Sequence, residues 1–106
     1  MKILPRPIAF EWDKGNIDKN LVKHNVTDRE TEEVFGNKPL LVNEDIEHSE
    51  KELRFQVLGK TNLGRLLFIS FTIRNDKVRI ISVRDMNKKE RGVYEEKAKT
   101  YTKIQK

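Results

Sequence analysis

The stretch ELRFQVLGKTNLGRLLFISFTIRNDKVRIISVRD, residues 52–85, decides the fold because it holds three strand-like segments separated by two short turns. Polar and apolar residues alternate in the first segment, which puts Phe55 and Val57 on one face. The second segment, RLLFISFTI (65–73), is apolar on both faces, as expected of a central strand. The links KTNLG and RNDK have hairpin length and turn-forming residues. We therefore predict an antiparallel meander.

The last hairpin admits two registers, and the choice decides which side chains face the core. A two- or four-residue turn pairs Phe71 with Ile80, whereas a three-residue turn pairs Phe71 with Ile81. A slip of one residue moves every side chain of the strand to the opposite face. We predict the three-residue turn, because it buries Ile81 and places Arg84 on the other face, beside Arg54.

A short edge strand over Ile8–Glu11 and a helix over about Gly15–His24 are predicted before this region. Asp13 suits the N-cap of that helix, and Asn25 suits the left-handed position that ends it. The spacing of the apolar residues follows a helical period. The inward face is then expected to hold Ile17, Leu21 and a half-buried His24.

Two more helices are predicted, one before and one after the three strands in the sequence. TDRE, residues 27–30, has the pattern of a capping box and begins a helix that runs to about Phe35. The segment LLVNED (40–45) is a further strand candidate. From Asn87 the pattern is helical again, with Val93 or Tyr94, and then Tyr101, facing inward.

A chain of 106 residues has room for one domain, and no internal repeat or linker divides it. The predicted class is α+β, with two N-terminal helices and a C-terminal helix packed on one face of a three- to four-stranded antiparallel sheet. The other face of the sheet would be open. Residues 1–7 and about 98–106 are expected to be irregular or frayed.

Composition narrows the functional classes. The net charge of +5 fits attraction to a polyanion as well as it fits simple solubility. The absence of cysteine excludes disulfides and thiolate zinc sites. Neither a signal peptide nor an apolar run of membrane-spanning length is present in the sequence, so we expect a cytoplasmic protein without membrane contact.

Few residues suit acid–base or metal chemistry. His24 and His48 are not at a metal-ligand spacing, and no metal or cofactor motif is present, so we predict neither. The acidic residues around 44–50 are typical of a solvated loop. Basic residues on the predicted strands and turns remain, and any one of them alone is typical of a solvent-facing side chain. As a group they suit phosphate and the charge that builds during phosphoryl transfer; they are Arg54, Lys60, Arg65 and Arg84.

Three segments carry a resemblance to a known family. FEWDKGNIDKNLVKHNVT (10–27), HSEKELRFQVLGKTNLGRLLFISFT (48–72) and RIISVRDMNKKERGVYEE (79–96) resemble the BrnT family of bacterial toxins. The resemblance rests on F-x-W-D, N-x-x-K-H, G-K-T-x-x-G-R and R-I-I-S-x-R followed by E-R-x-x-Y. It covers nearly the whole chain, about Phe10 to Glu96.

The resemblance implies a RelE-like fold and a ribonuclease that arrests translation. It also implies neutralisation by a BrnA-like antitoxin with a ribbon-helix-helix part, through which alone the pair would contact DNA and repress its own operon. Asn25 and Val83 stand where the family usually has glycine and alanine. Asp85 is expected to neutralise part of the charge of Arg84. The matching positions that we assign to the site are Arg54, Lys60, Arg65, Arg84 and His48 for catalysis, and Trp12, Ser82, Glu90, Arg91 and Tyr94 for RNA binding.

The implied reaction needs neither a metal nor a cofactor, because RNA supplies its own nucleophile, the 2′-hydroxyl. We expect Arg54, Arg65 and Arg84 to hold the scissile phosphate. Lys60, with a pKa lowered by neighbouring cations, or His48 would transfer protons, and Glu90 is a third candidate. Trp12 and Tyr94 would stack on bases, although core packing explains Trp12 equally well.

Two other functional classes are compatible with a basic domain of this size. A non-catalytic module could use its basic face only to dock the antitoxin and co-repress the operon; it would bind RNA in a salt-dependent way without forming product. A direct DNA-binding protein is disfavoured, because the sequence has no helix-turn-helix pattern.

Overall fold

The computed structural model describes residues 4–5, 7–45 and 52–105, with the backbone alone for 101–105. Three helices pack on a five-stranded sheet of order β1-β5-β4-β3-β2. In chain order the elements are β1 (Phe10–Glu11), α1 (Lys14–His24), α2 (Asp28–Gly36), β2 (Leu41–Glu44), β3 (Arg54–Lys60), β4 (Leu66–Arg74), β5 (Lys77–Asp85) and α3 (Lys88–Gln105). Strands β2 to β5 form the predicted antiparallel meander. No helix in the described part of the chain is both long and apolar enough to cross a bilayer.

The strand count exceeds the prediction because the short first strand joins the sheet. Phe10 and Glu11 pair in parallel with Val78 and Arg79 at one edge, which makes the sheet mixed rather than purely antiparallel. The expected edge strand is therefore present but two residues long.

The predicted helix starts and stops are confirmed. The carboxylate of Asp13 accepts the Gly15 amide at 2.8 Å at the start of α1, and Asn25 ends that helix with a φ of 53°. Thr27 and Glu30 form the predicted capping box of α2. Short polar side chains thus fix both turns that position the helices against the sheet.

The inward face of α1 is not the predicted apolar one. Leu21 is 46% exposed and His24 is also exposed, whereas Asn20 is 2% exposed. The expected half-burial of the His24 ring is therefore wrong.

The outer edge of β5 explains this orientation of α1. β1 pairs with only two residues of β5, so the β5 backbone beyond Arg79 needs other partners. Polar side chains of α1 supply them: Asn16 Nδ2 donates to the Ile80 carbonyl (3.1 Å), Lys19 Nζ donates to the Ile81 carbonyl (3.4 Å), and the Val83 amide donates to Asn20 Oδ1 (3.3 Å). Hydrogen bonds to the edge of β5 therefore determine the orientation of α1 more strongly than burial of its few apolar residues does.

The last hairpin combines parts of both registers. Asn75 and Asp76 form a two-residue turn with φ of 53° and 60°, which pairs Phe71 with Ile80. The predicted pairing of Phe71 with Ile81 is therefore wrong. A bulge between Ser70 and Phe71 then shifts the register by one residue. Beyond the bulge the pairing is the one that a three-residue turn would give, so Arg84 lies on the predicted face.

Apolar clusters occupy both faces of the sheet. The first lies under α2 and contains a chain of ring contacts from Phe10 through Phe35 to Phe71, with centroids 5.3 and 5.4 Å apart. The second lies on the opposite face, because adjacent strand residues point to opposite sides. Its members are Leu58, Met86 and Tyr94, packed with Leu41, Leu66, Phe68 and Ala98.

The position and the length of α3 both differ from the prediction. α3 lies across the face that we expected to be open, because the apolar side chains of Leu58 and Phe68 on that face require cover. The helix also continues to Gln105, so most of the segment that we expected to be frayed, 98–106, is helical. The uncovered part of this face is correspondingly smaller.

Candidate nucleic-acid interface

The face of the sheet that carries α3 has three cross-strand rows. Strand pairing places Leu58, Phe68 and Arg84 in one row, Gln56, Ser70 and Ser82 in the next, and Arg54, Thr72 and Arg79 in the third. Tyr94 and Ala98 of α3 pack against the first row. The second row, which we call the polar row (Gln56, Ser70 and Ser82), is partly exposed.

Arg84 is fixed at one border of the polar row. Its guanidinium forms a two-point contact with Glu90, with Nη1–Oε1 at 2.8 Å and Nη2–Oε2 at 2.9 Å. The guanidinium carbon also lies 4.2 Å from the centroid of the Phe68 ring. Nη1 also donates to the Asp85 carbonyl at 3.1 Å. The guanidinium is 36% exposed, and within the described residues Nε–H and the second N–H of Nη2 have no acceptor, so this side of the group can bind an anion.

Glu90 joins this contact to the start of α3. Its side chain accepts the Asn87 amide (2.9 Å), while Asn87 Oδ1 accepts the Glu90 amide (2.8 Å), which is a capping box. The hydrogen bonds from Arg84 hold the pKa of Glu90 below its ordinary value, and Glu90 in turn raises the pKa of Arg84. A carboxylate with a lowered pKa is a weak proton acceptor, so the structure favours a positioning role for Glu90.

Arg54 lies across the polar row from Arg84 and not beside it. Arg54 pairs with Thr72, and Arg84 pairs with Phe68, four positions away along β4. With about 3.3 Å per residue along a strand and about 4.8 Å between strands, their Cα atoms are roughly 16 Å apart. The predicted juxtaposition is wrong, because the bulge changes the face of Arg84 without moving it along the sheet. The two arginines lie at opposite borders of the polar row.

Arg65 has all five of its N–H groups engaged. Nε and Nη2 donate to the two carboxylate oxygens of Asp85 at 2.8 and 3.0 Å. Nη1 donates to the Asn25 carbonyl (2.8 Å) and to Glu30 (3.1 Å), and Nη2 also donates to the His24 carbonyl (3.0 Å). A guanidinium has five donors, so none is left for a phosphate.

Through these hydrogen bonds Arg65 links three elements of the fold. It ties the end of α1 and the first turn of α2 to the end of β5, and its hydrogen bonds lower the pKa of Asp85. Asp85 is thus committed to Arg65. The expectation that Asp85 neutralises Arg84 is wrong; Glu90 does so instead. The expected contact of Arg65 with the scissile phosphate requires donors that the fold already uses.

Tyr94 is buried and cannot stack on a base in this conformation. It is 3% exposed within the second cluster, its hydroxyl donates to the Pro39 carbonyl at 2.7 Å, and burial raises its pKa. The helical period left Val93 and Tyr94 as alternatives, and Val93 is 46% exposed.

Tyr94→Phe tests this assignment. We expect it to lower the free energy of unfolding by about 1–2 kcal/mol, because the Pro39 carbonyl loses a partly buried hydrogen bond, and to leave RNA affinity unchanged. Chemical denaturation and an RNA titration measure the two quantities. A loss of RNA affinity at unchanged stability would show instead that the hydroxyl reaches the ligand.

The remaining predicted residues are dispersed. Trp12 packs against the first cluster and donates its indole N–H to Glu32 at 2.7 Å, which favours the core-packing alternative. Arg91 is exposed at the start of α3 and donates to the Met86 carbonyl at 2.9 Å. Lys60 ends β3, Ser82 belongs to the polar row, and His48 lies outside the described residues. Within the described ranges, no three histidine, aspartate or glutamate side chains are close enough to share a metal ion.

Sequence reasoning missed three contributors to this surface: Phe68, Gln56 and Ser70. Phe68 supports Arg84 from the neighbouring strand, which only the register beyond the bulge reveals. Gln56 and Ser70 align with Ser82 for the same reason. The capping box at Asn87, by contrast, is visible as N-K-K-E in the sequence and would have fixed the position of Glu90.

Comparison with known proteins gives the family and the fold. Residues 12–90, more than half of the chain, match the family described as the ribonuclease toxin BrnT of type II toxin-antitoxin systems. The crystal structure of the Brucella abortus ribonuclease toxin BrnT, at 1.1 Å resolution, superposes with a TM-score of 0.58 at 17% identity, covering 76% of this chain and 99% of that one. At that identity the superposition establishes the fold alone. No curated protein sequence matches this chain. The family match over residues 12–90 shows that the chain belongs to the BrnT family of ribonuclease toxins of type II toxin-antitoxin systems.

Proposed function

We propose that this protein is an endoribonuclease toxin that cleaves single-stranded RNA across the polar row and is neutralised by a partner antitoxin. The observation that supports it most is the fixed, half-exposed guanidinium of Arg84 beside Ser82. Glu90 and the Asp85 carbonyl engage three of the five donors of Arg84 and leave Nε–H and one N–H of Nη2, a pair of donors that suits a phosphate. Arrest of translation follows from the loss of RNA and needs no further activity of this chain.

The proposed step uses the RNA's own nucleophile. The 2′-oxygen attacks the adjacent phosphorus, the bond from phosphorus to the 5′-oxygen breaks, and the products are a 2′,3′-cyclic phosphate and a 5′-hydroxyl. One proton leaves the 2′-hydroxyl and one reaches the 5′-oxygen, so the reaction balances without another reagent. Arg84 stabilises the charge on the phosphorane oxygens, and Arg54 binds a neighbouring phosphate across the polar row.

Proton transfer is assigned to Lys60 or His48, as the sequence suggested. Glu90 is better suited to hold Arg84 in place, because its lowered pKa weakens it as a base. Arg65 is left out of the reacting set, since its donors are engaged within the fold.

The nature of the RNA products tests this proposal. Purified wild-type protein is incubated with a single-stranded RNA, without ribosomes and with a chelator, and the new ends are analysed. We expect cleavage with 2′,3′-cyclic phosphate and 5′-hydroxyl ends. Salt-dependent RNA binding without product would identify the non-catalytic module, and 5′-phosphate ends would contradict attack by the 2′-hydroxyl.

A further inference from the structure

A groove runs along the edge of the sheet that is formed by β2. Its volume is about 880 Å³, within the size range of ligand-binding clefts. Apolar side chains dominate the lining, with contributions from the N-terminal stretch, the end of α2, β2 and α3. Representative lining residues are Leu4, Ile8, Phe35, Leu41, Val42 and Lys97.

The lining shows that this groove wraps around the strand edge. Val42 packs with the first cluster and Leu41 with the second, so these neighbours point to opposite faces of the sheet. Phe35 of α2 extends the groove on the first face, and Lys97 of α3 extends it on the second. An extended segment in the groove would therefore lie beside β2, with alternate side chains directed to the two faces.

The backbone of β2 is oriented to receive such a segment. The Asp45 amide donates to the Arg54 carbonyl at 2.8 Å, so this pair is a hydrogen-bonded one in the β2–β3 ladder. Hydrogen-bonded and non-hydrogen-bonded pairs alternate in an antiparallel ladder. The N–H and C=O groups of Val42 and Glu44 therefore point away from β3, and β2 is the last strand of the sheet within the described residues.

We propose that this groove is the docking site of the antitoxin, which adds an extended segment as a further strand beside β2. Main-chain hydrogen bonds would come from Val42 and Glu44, and alternate apolar side chains of the segment would enter the two halves of the groove. The exposed cations Lys38 and Lys97 line the groove, and the chain carries a net charge of +5. The segment is therefore acidic beside its apolar residues.

This assignment rests on the proposed function only for the identity of the partner. A second copy of this chain, or the N-terminal residues of the same chain, could fill the same groove. The antitoxin is favoured because the groove carries cations and a second copy of a basic chain would bring like charge to it.

Glu44→Pro tests the added strand, with Glu44→Ala as the matched control. Proline removes the outward N–H of an exposed edge residue and leaves the β2–β3 hydrogen bonds in place. The probe is the protein encoded by the reading frame next to this gene, titrated against purified toxin. We expect Glu44→Pro to weaken its binding at least tenfold, Glu44→Ala less than twofold, and RNA cleavage to be unchanged in both.

A second variant, Gly36→Leu, tests the groove without touching β2. Gly36 lines the groove, and a Cβ added there would meet no atom within 4 Å, so the position accepts a side chain at the groove wall. We expect it also to weaken antitoxin binding at least tenfold.

The alternatives give different results. Wild-type affinity for the antitoxin in both Glu44→Pro and Gly36→Leu would overturn the docking site. A toxin dimer that Gly36→Leu abolishes would also overturn it, because a second copy would then occupy the groove. If the N-terminal residues fill the groove instead, Gly36→Leu should lower the stability of the toxin and leave antitoxin affinity unchanged, which would also overturn it. A wild-type toxin that binds the antitoxin through this groove but cleaves no RNA would contradict the proposed function alone.

Discussion

Replacing Arg65 by alanine is expected to lower the free energy of unfolding by about 2–4 kcal/mol, because several hydrogen bonds to charged or helix-terminal acceptors are lost together. Asp85 and Glu30 would lose their cation, and two carbonyls at the end of α1 would lose their donor. For a domain of this size, a change of that order lowers Tm by roughly 10 °C or more. Thermal and urea denaturation measure it.

The dependence on pH provides a further check. The pKa of Asp85 is lowered chiefly by its hydrogen bonds from Arg65, and that of Glu30 by the Thr27 amide and then by Arg65. A lowered pKa in the folded state stabilises the fold above the ordinary carboxylate pKa, and this stabilisation is lost as the pH falls through the lowered value. Arg65→Ala should therefore lose less stability than wild type on acidification.

Activity separates the structural role of Arg65 from a catalytic one. Measured well below its Tm, folded Arg65→Ala should cleave RNA at a rate close to that of wild type. Arg65→Lys keeps the charge but has three donors instead of five, so its stability should be intermediate. Unchanged stability together with lost cleavage would instead show that Arg65 contacts the phosphate.

Arg84→Ala is expected to lower the rate of RNA cleavage by about 10²–10³-fold, the usual effect of removing one donor that stabilises a transition-state oxyanion. Its loss should also reduce the salt dependence of RNA binding by about one phosphate contact, a slope change of roughly 0.7 for a single strand. Stability should change less, because Glu90 keeps its contacts with Asn87.

Two further variants separate the charge of Arg84 from its geometry. Arg84→Lys keeps the charge but loses the planar fork and the contact with Phe68, so we expect only partial activity. Glu90→Gln keeps the capping box and removes the charge that opposes phosphate. RNA should then bind at least as tightly as to wild type.

The meander and the helix ends were predictable because local chemistry determines them. The capping box at Thr27 and the left-handed Asn25 depend on residues within one turn, and the structure confirms both. The position of α3 was not predictable in the same way. Its apolar residues are few, and only the presence of Leu58 and Phe68 on the second face requires the helix there.

The candidate site was predictable in its residue types but not in its arrangement. Arg84 was assigned to the correct face, yet its pairing depends on a bulge that combines two registers, which no turn residue indicates. The role of Arg65 depends on carbonyls of α1 and a carboxylate of β5, all distant in sequence. Long-range contacts of this kind have no local pattern that sequence reasoning could detect.

The most direct test of the ribonuclease assignment is the cleavage rate of ribosome-free single-stranded RNA by wild type, Arg84→Ala and Arg74→Ala. Arg74 is a matched control, because it is an arginine of the same sheet that pairs with Glu52 at the far end of β4. With all three proteins folded, we predict cleavage by wild type and Arg74→Ala and a loss of about 100-fold or more in Arg84→Ala. Equal rates in all three proteins, or no cleavage by wild type, would contradict the assignment.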